Sequence, residues 1–161
     1  MEDNIAIKKF MNAQESLVVQ QSDFSLKTVT EMVENGAIDI APHYQRRDRW
    51  HISKQSGLIE SFILNVPVPP VYLSEDDYGT YSVIDGKQRI TSIKNFLNNE
   101  FKLKDLQKFP ELNGYLFSEL PQKIKNALSV RPYLRIVTLL RQSDQSLKFE
   151  VFLRLNTGGE H

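Results

Sequence analysis

Residues 81–97, YSVIDGKQRITSIKNFL, change their hydrophobic period part-way along, and that change decides the fold class. Tyr81 to Ile84 is short, apolar and partly β-branched, the composition of a buried strand. Beyond it Ile90, Ile93 and Leu97 recur at i, i+3 and i+7, the spacing of one helical face. A single glycine, Gly86, separates the two patterns. The spacing therefore predicts a strand that feeds a helix through the junction DGKQR, Asp85 to Arg89.

Such a junction suits an anion. A helix N-terminus presents unpaired backbone N–H groups and a partial positive charge, and a glycine there lets a phosphate or carboxylate approach the backbone closely. Lys87 and Arg89 fall in the first turn, where a cation is unfavourable by a few tenths to about 1 kcal/mol. A bound anion would remove that conflict. From these five residues alone a plain N-cap at Asp85, with both cations in solvent, explains the pattern about equally well.

Working outward, Pro69 and Pro70 introduce Val71-Tyr72-Leu73, and Glu75 to Gly79 turns the chain back into Tyr81 to Ile84, a strand, turn, strand unit. Leu58, Ile59, Phe62 and Ile63 make the apolar face of a helix that Ser53 can cap and Asn65 and Pro67 close. That face is expected to pack on a sheet. Leu26, Val29 and Val33 predict a helix over roughly 25–35, with Ser22 or Asp23 as its cap and Gly36 as its left-handed stop. Ala37 to Ile40 reads as a brief strand.

Towards the C-terminus, Leu120, Ile124 and Leu128 predict a helix with Pro121 in its first turn, ended by Arg131-Pro132. Tyr133 to Leu140 reads as a largely buried strand, and Phe149, Phe152 and Leu153 belong to a last helix stopped by Gly158. Strands and helices interleave, so the class is α+β. With no repeat or flexible linker, the reading is an N-terminal extension over 1–24 followed by one domain over 25–161.

Composition narrows the function classes. The 161 residues carry 40% hydrophobic and 25% charged side chains, ordinary values for a folded domain. Net charge is zero, so no global basic field draws the chain to nucleic acid or an anionic membrane, and any anion site must be local. The absence of cysteine excludes disulfides, thiolate zinc sites and a cysteine nucleophile, and makes the cytoplasm the expected location. No apolar run approaches the roughly 20 residues that span a bilayer, so no membrane role is expected. His43, His51 and His161 lack ligand spacing, and Glu75-Asp76-Asp77 resembles a solvated turn, so no dedicated protein metal site is predicted. Neither a GxSxG elbow nor a Walker A motif occurs.

Two further stretches bear on the anion site. In YQRRDRW, Tyr44 to Trp50, the cations Arg46, Arg47, Arg49 and nearby Lys54 face only Asp48, and guanidinium forks bind phosphate while aromatic rings offer stacking surfaces. A solvated basic loop with Tyr44 and Trp50 anchored in the core is the more ordinary reading of such a run. LNTGG, Leu155 to Gly159, reads most simply as a helix C-cap.

Together, YQRRDRW, LIESFILNVPVPPVYL (residues 58–73), DGKQR and FLRLNTGG resemble the N-terminal domain family of GmrSD-type restriction endonucleases over roughly residues 25–159. The resemblance implies a fold similar to the ParB/sulfiredoxin superfamily, a small mixed sheet with surrounding helices. The family usually writes the junction DGQQR and is associated with nucleotide hydrolysis in defence against phage. Asp85, Gly86, Gln88 and Arg89 match that motif, and Lys87 replaces the usual glutamine. The same resemblance implies a catalytic role for Asp85 and Gln88. Gly86, Lys87, Arg89, Tyr44, Gln45, Arg46, Asn156 and Thr157 would hold the nucleotide, with Mg2+ arriving on it. The implied partners are a nucleoside triphosphate and a nuclease domain or subunit, and relatives commonly continue into a helical region beyond the point where this chain stops. Nuclease activity is not expected of this chain alone. The alternative is a non-catalytic module that senses nucleotide or DNA.

Overall fold

The computed structural model describes residues 2–40 and 49–156. A five-stranded mixed sheet has the order β1-β5-β3-β4-β2, built from β1 (Val19–Ser25), β2 (Ile38–Asp39), β3 (Val71–Asp77), β4 (Thr80–Asp85) and β5 (Tyr133–Leu139). β1 lies antiparallel to β5, β5 parallel to β3, β3 antiparallel to β4, and β4 parallel to β2. The helices are α1 (Glu2–Ser16), α2 (Leu26–Glu34), α3 (Ile52–Ile63), α4 (Lys87–Leu97), α5 (Gln122–Val130) and α6 (Gln145–Asn156). The class is α+β, as the interleaved periodicities predict.

The core lies between the sheet and α2 and α4. Leu26 and Val29 of α2, Ile90, Ile93 and Phe96 of α4, Val71 and Leu73 of β3, and Leu134 and Ile136 of β5 are all essentially inaccessible to solvent. Fully burying side chains of this size contributes roughly 1.5–3 kcal/mol each. Phe96 extends the cluster to Phe101 and Phe117, with ring centroids 5.4 and 5.7 Å away. The α3 face behaves differently from the sequence expectation. It packs chiefly on α4 and α5 rather than on the sheet.

Two polar residues of α3 bind the long connection after α4. The buried Glu60 carboxylate accepts backbone N–H bonds from Gln107 (3.2 Å), Lys108 (2.7 Å) and Phe109 (2.9 Å). The Ser56 hydroxyl accepts from Lys104 N at 3.0 Å. These bonds hold Leu103 and Leu106 in the core although that segment has no regular ladder of its own.

Several boundaries differ from the sequence reading. Ser25, not Ser22 or Asp23, caps α2 through Thr28 N at 3.1 Å, because residues 22 and 23 are paired with β5. α3 starts at Ile52 with His51 as its N-cap, two residues ahead of the expected Ser53. Pro121 stands just before α5 rather than inside its first turn. Residues 2–16 form a helix with no buried residue, and its Ile5, Ile7, Phe10 and Met11 are exposed. Gly158 lies outside the described residues.

Asp144 starts α6 by accepting N–H bonds from Ser146 (2.8 Å) and Leu147 (3.2 Å), as well as the Ser146 hydroxyl. The Ser146 hydroxyl bond, then the backbone bonds, hold its carboxyl below the usual aspartate range. A folded-state pKa below the unfolded one contributes stability at neutral pH that disappears as pH falls through the lowered value. α6 amides are therefore expected to lose exchange protection below about pH 4, before the sheet does. Asp144→Asn should remove this pH dependence, and hydrogen exchange over the acid range checks it.

Candidate functional site

The DGKQR junction has a geometry that the strand register dictates. Tyr72 pairs with Asp85, so Val71 runs beside Gly86. Gly86 adopts φ 108°, ψ 15° as the N-cap of α4, and a Cβ there would stand 2.6 Å from Val71 Cγ2. Only glycine fits that backbone and that contact together. The left-handed residue followed by helical ones turns successive N–H groups towards one side, a concavity that suits an anion.

No side chain among the described residues caps α4, and its first turn holds no acidic residue while carrying Lys87 and Arg89. The cap position belongs to Gly86, so Asp85 is not the N-cap. Its carboxylate pairs with Arg89, Nη2 to Oδ2 at 3.5 Å.

Arg89 points inward. It is only 9% exposed, and Nη2 donates to the Pro70 carbonyl at 2.8 Å, tying α4 to the entry of β3. Among the described residues its buried Nε has no hydrogen-bond partner. Nη2 also lies 3.3 Å from the position that a Gly86 Cβ would take, so the guanidinium lies directly behind the turn. Its positive charge reinforces the helix terminus from below.

Gln88 turns the other way. Its Oε1 accepts the Trp50 backbone N–H at 3.2 Å, which brings the end of the basic YQRRDRW stretch to the first turn of α4. The Trp50 ring packs against the core, with Lys54 Nζ 4.6 Å from its centroid. The expectation that Trp50 serves the core rather than a ligand agrees with this packing.

Asn156, the last residue of α6, donates to the Ile84 carbonyl at 3.3 Å. The register shifts there, since Tyr72 faces Asp85 while Leu73 faces Val83, leaving Ile84 opposite no partner. The bulge carbonyl is thus met by Asn156, two residues ahead of Gly86. Asp85, Gly86, Lys87, Gln88, Arg89 and Asn156 accordingly gather around one turn. Tyr44, Gln45, Arg46 and Thr157 lie outside the described residues.

Trp50, Asp85 to Arg89 and Asn156 belong to three of the stretches, YQRRDRW, DGKQR and FLRLNTGG, that carry the resemblance. A family model described as GmrSD restriction endonuclease, N-terminal domain, matches residues 27–161. The chain belongs to that family. No curated protein and no solved structure matches it. As a GmrSD N-terminal domain the chain is a component of a restriction system. No helix among the described residues is long and apolar enough to cross a membrane, and no group of three or more His, Asp or Glu among them is placed to hold a metal ion.

Gln55 and Pro70 escaped the sequence reading. Gln55 donates from Nε2 to the Trp50 carbonyl at 2.9 Å. Its signal was present: positions 55, 59 and 62 share the buried stripe of α3, so an amide at 55 must answer to a polar partner inside.

Proposed function

We propose that this GmrSD N-terminal domain binds a nucleoside triphosphate at the start of α4 and hydrolyses it in service of a nuclease domain or subunit. The observation that carries the reading is the uncapped, acid-free first turn of α4, with left-handed Gly86 ahead of it and Lys87 and Arg89 within it. The backbone of Gly86 and Lys87 holds phosphate oxygens, and Lys87 adds a point charge. Arg89, fixed behind the turn, contributes its field and keeps the turn in shape. Arg46 of the basic stretch supplies a second phosphate contact, with Tyr44, Gln45 and Thr157 lining the nucleotide as the resemblance implies.

Phosphoryl transfer depends on positioning and charge neutralisation more than on covalent chemistry. Asp85 orients the attacking water, and the Gln88 amide, with Oε1 engaged by Trp50, offers its Nε2 as a donor. A magnesium ion carried on the phosphates needs as few as one protein carboxylate, and Asp85, at 30% side-chain exposure, is the one at the turn. The ion would neutralise phosphate charge.

One observation favours a second reading, a nucleotide- or DNA-sensing module without turnover. Asp85 and Gln88, the two groups assigned to the water, already hold Arg89 and Trp50. Phosphate release measured with each common nucleoside triphosphate separates the two. Hydrolysis is expected in the wild type and a fall of about 100-fold or more in Asp85→Asn. Nucleotide binding with no phosphate release would establish the sensor instead. If DNA is the ligand sensed, its affinity must fall steeply with salt.

A further inference from the structure

Trp50 is held at both ends of its peptide by glutamine side chains from different helices. Gln88 of α4 accepts its N–H at 3.2 Å, and Gln55 of α3 donates to its carbonyl at 2.9 Å. The indole is gripped as well, with Lys54 of α3 over its face. The chain thus leaves the basic stretch through a residue whose backbone is tied to the phosphate turn on one side and to the core on the other.

This arrangement has a cost that its structural benefit leaves unmet. Gln55 is 6% exposed, and among the described residues neither its Oε1 nor the buried Trp50 Nε1 has a hydrogen-bond partner. An unsatisfied buried acceptor and donor disfavour the fold, and an apolar residue at 55 would avoid the first of them. Local rules broken in this way are commonly found where a side chain serves the site.

We propose that Gln55 is a positioning residue for the nucleotide site. It fixes Trp50 so that Gln88 is drawn to one rotamer at the first turn of α4. The inference rests on the nucleotide reading above. Gln55 itself touches neither the turn nor its anion, so its effect on binding passes through Trp50 and Gln88.

Coupling of this kind is reciprocal: if Gln55 tightens phosphate binding through the Trp50 peptide, bound phosphate must tighten the Trp50 peptide by the same factor. Trp50 is the only tryptophan, so its fluorescence and its backbone amide report the clamp without interference. Inorganic tripolyphosphate with magnesium is the probe, titrated into the full chain while the Trp50 signal and the exchange rate of its amide are followed.

In the wild type the probe is expected to slow Trp50 amide exchange by about fivefold or more. Gln55→Met, which keeps length and volume and deletes the amide, should weaken tripolyphosphate binding by a similar factor and abolish the slowing. Gln88→Met should do both as well, since it breaks the other half of the clamp. A wild type that binds tripolyphosphate equally tightly with and without the Gln55 amide overturns the clamp and leaves the nucleotide site standing. Binding that leaves Trp50 exchange unchanged overturns it too. A wild type that binds neither tripolyphosphate nor any nucleotide overturns the nucleotide reading and the clamp with it.

Discussion

Gly86→Ala is expected to lower the free energy of unfolding by about 3–5 kcal/mol, combining left-handed strain with overpacking. The two contributions have separate origins. At φ 108° an alanine is strained wherever it stands, and its Cβ would lie 2.6 Å from Val71 Cγ2 and 3.2 Å from Val71 Cβ. Val71 cannot retreat, because it is fully buried in β3 and paired with Ile136 of β5. Relief must come from moving the start of α4, which also disperses the N–H groups of the first turn. Urea denaturation measures the loss, and the variant Gly86→Ala, Val71→Ala should recover about 1–2 kcal/mol of the overpacking part.

Arg89→Met should cost about 2–4 kcal/mol, since it leaves the Pro70 carbonyl and the Asp85 carboxylate short of a shared cationic donor in a mostly buried place. Arg89→Lys is not a conservative rescue: Pro70 and Asp85 are both reached by Nη2 at the tip of a rigid planar guanidinium, a position that an ammonium on a flexible stem does not reproduce. Adding Asp85→Asn to Arg89→Met should restore about 1 kcal/mol by removing the stranded charge, and a double-mutant cycle in urea reads the coupling. Loss of nucleotide binding in an Arg89 variant therefore reports on the shape of the turn as much as on contact with phosphate.

The sequence made some of this legible and hid the rest for physical reasons. The β3, β4 hairpin and the β4 to α4 junction could be read because the apolar period changes from strand-like to helical across Gly86. β1 could not. As an edge strand rich in Gln, Ser and Asp it has neither strong alternation nor a buried run, and only its pairing with β5 reveals it. The buried direction of Arg89 was hidden too, because whether a first-turn arginine faces solvent or the sheet depends on where Pro70 brings β3. Asp85 looked like a cap from spacing alone. The register instead gives the cap position to Gly86 and turns Asp85 towards Arg89. Asn156 was grouped with the turn on resemblance, and its hydrogen bond to a bulge carbonyl 72 residues earlier gives that grouping a physical link.

The last helix, α6, turns its apolar residues outward. Lys148 is buried and donates to the Glu75 carbonyl at 3.3 Å, whereas Phe149, Phe152 and Leu153 are exposed, the two rings stacked 6.3 Å apart. The long lysine reaches the β3, β4 hairpin and leaves the phenylalanines outside.

The most direct measurement is the melting shift produced by ATP, GTP, CTP and UTP on the wild type and on Lys87→Glu. A glutamate in the first turn of α4 favours the helix by about 0.3–1 kcal/mol while repelling phosphate from the turn. The wild type is expected to be stabilised by at least one nucleotide, by about 2.7 kcal/mol at 100 times its Kd, and Lys87→Glu to melt within about 3 °C of the wild type with no nucleotide shift. No shift in the wild type with any of the four, or an equal shift in Lys87→Glu, would contradict a phosphate site at DGKQR.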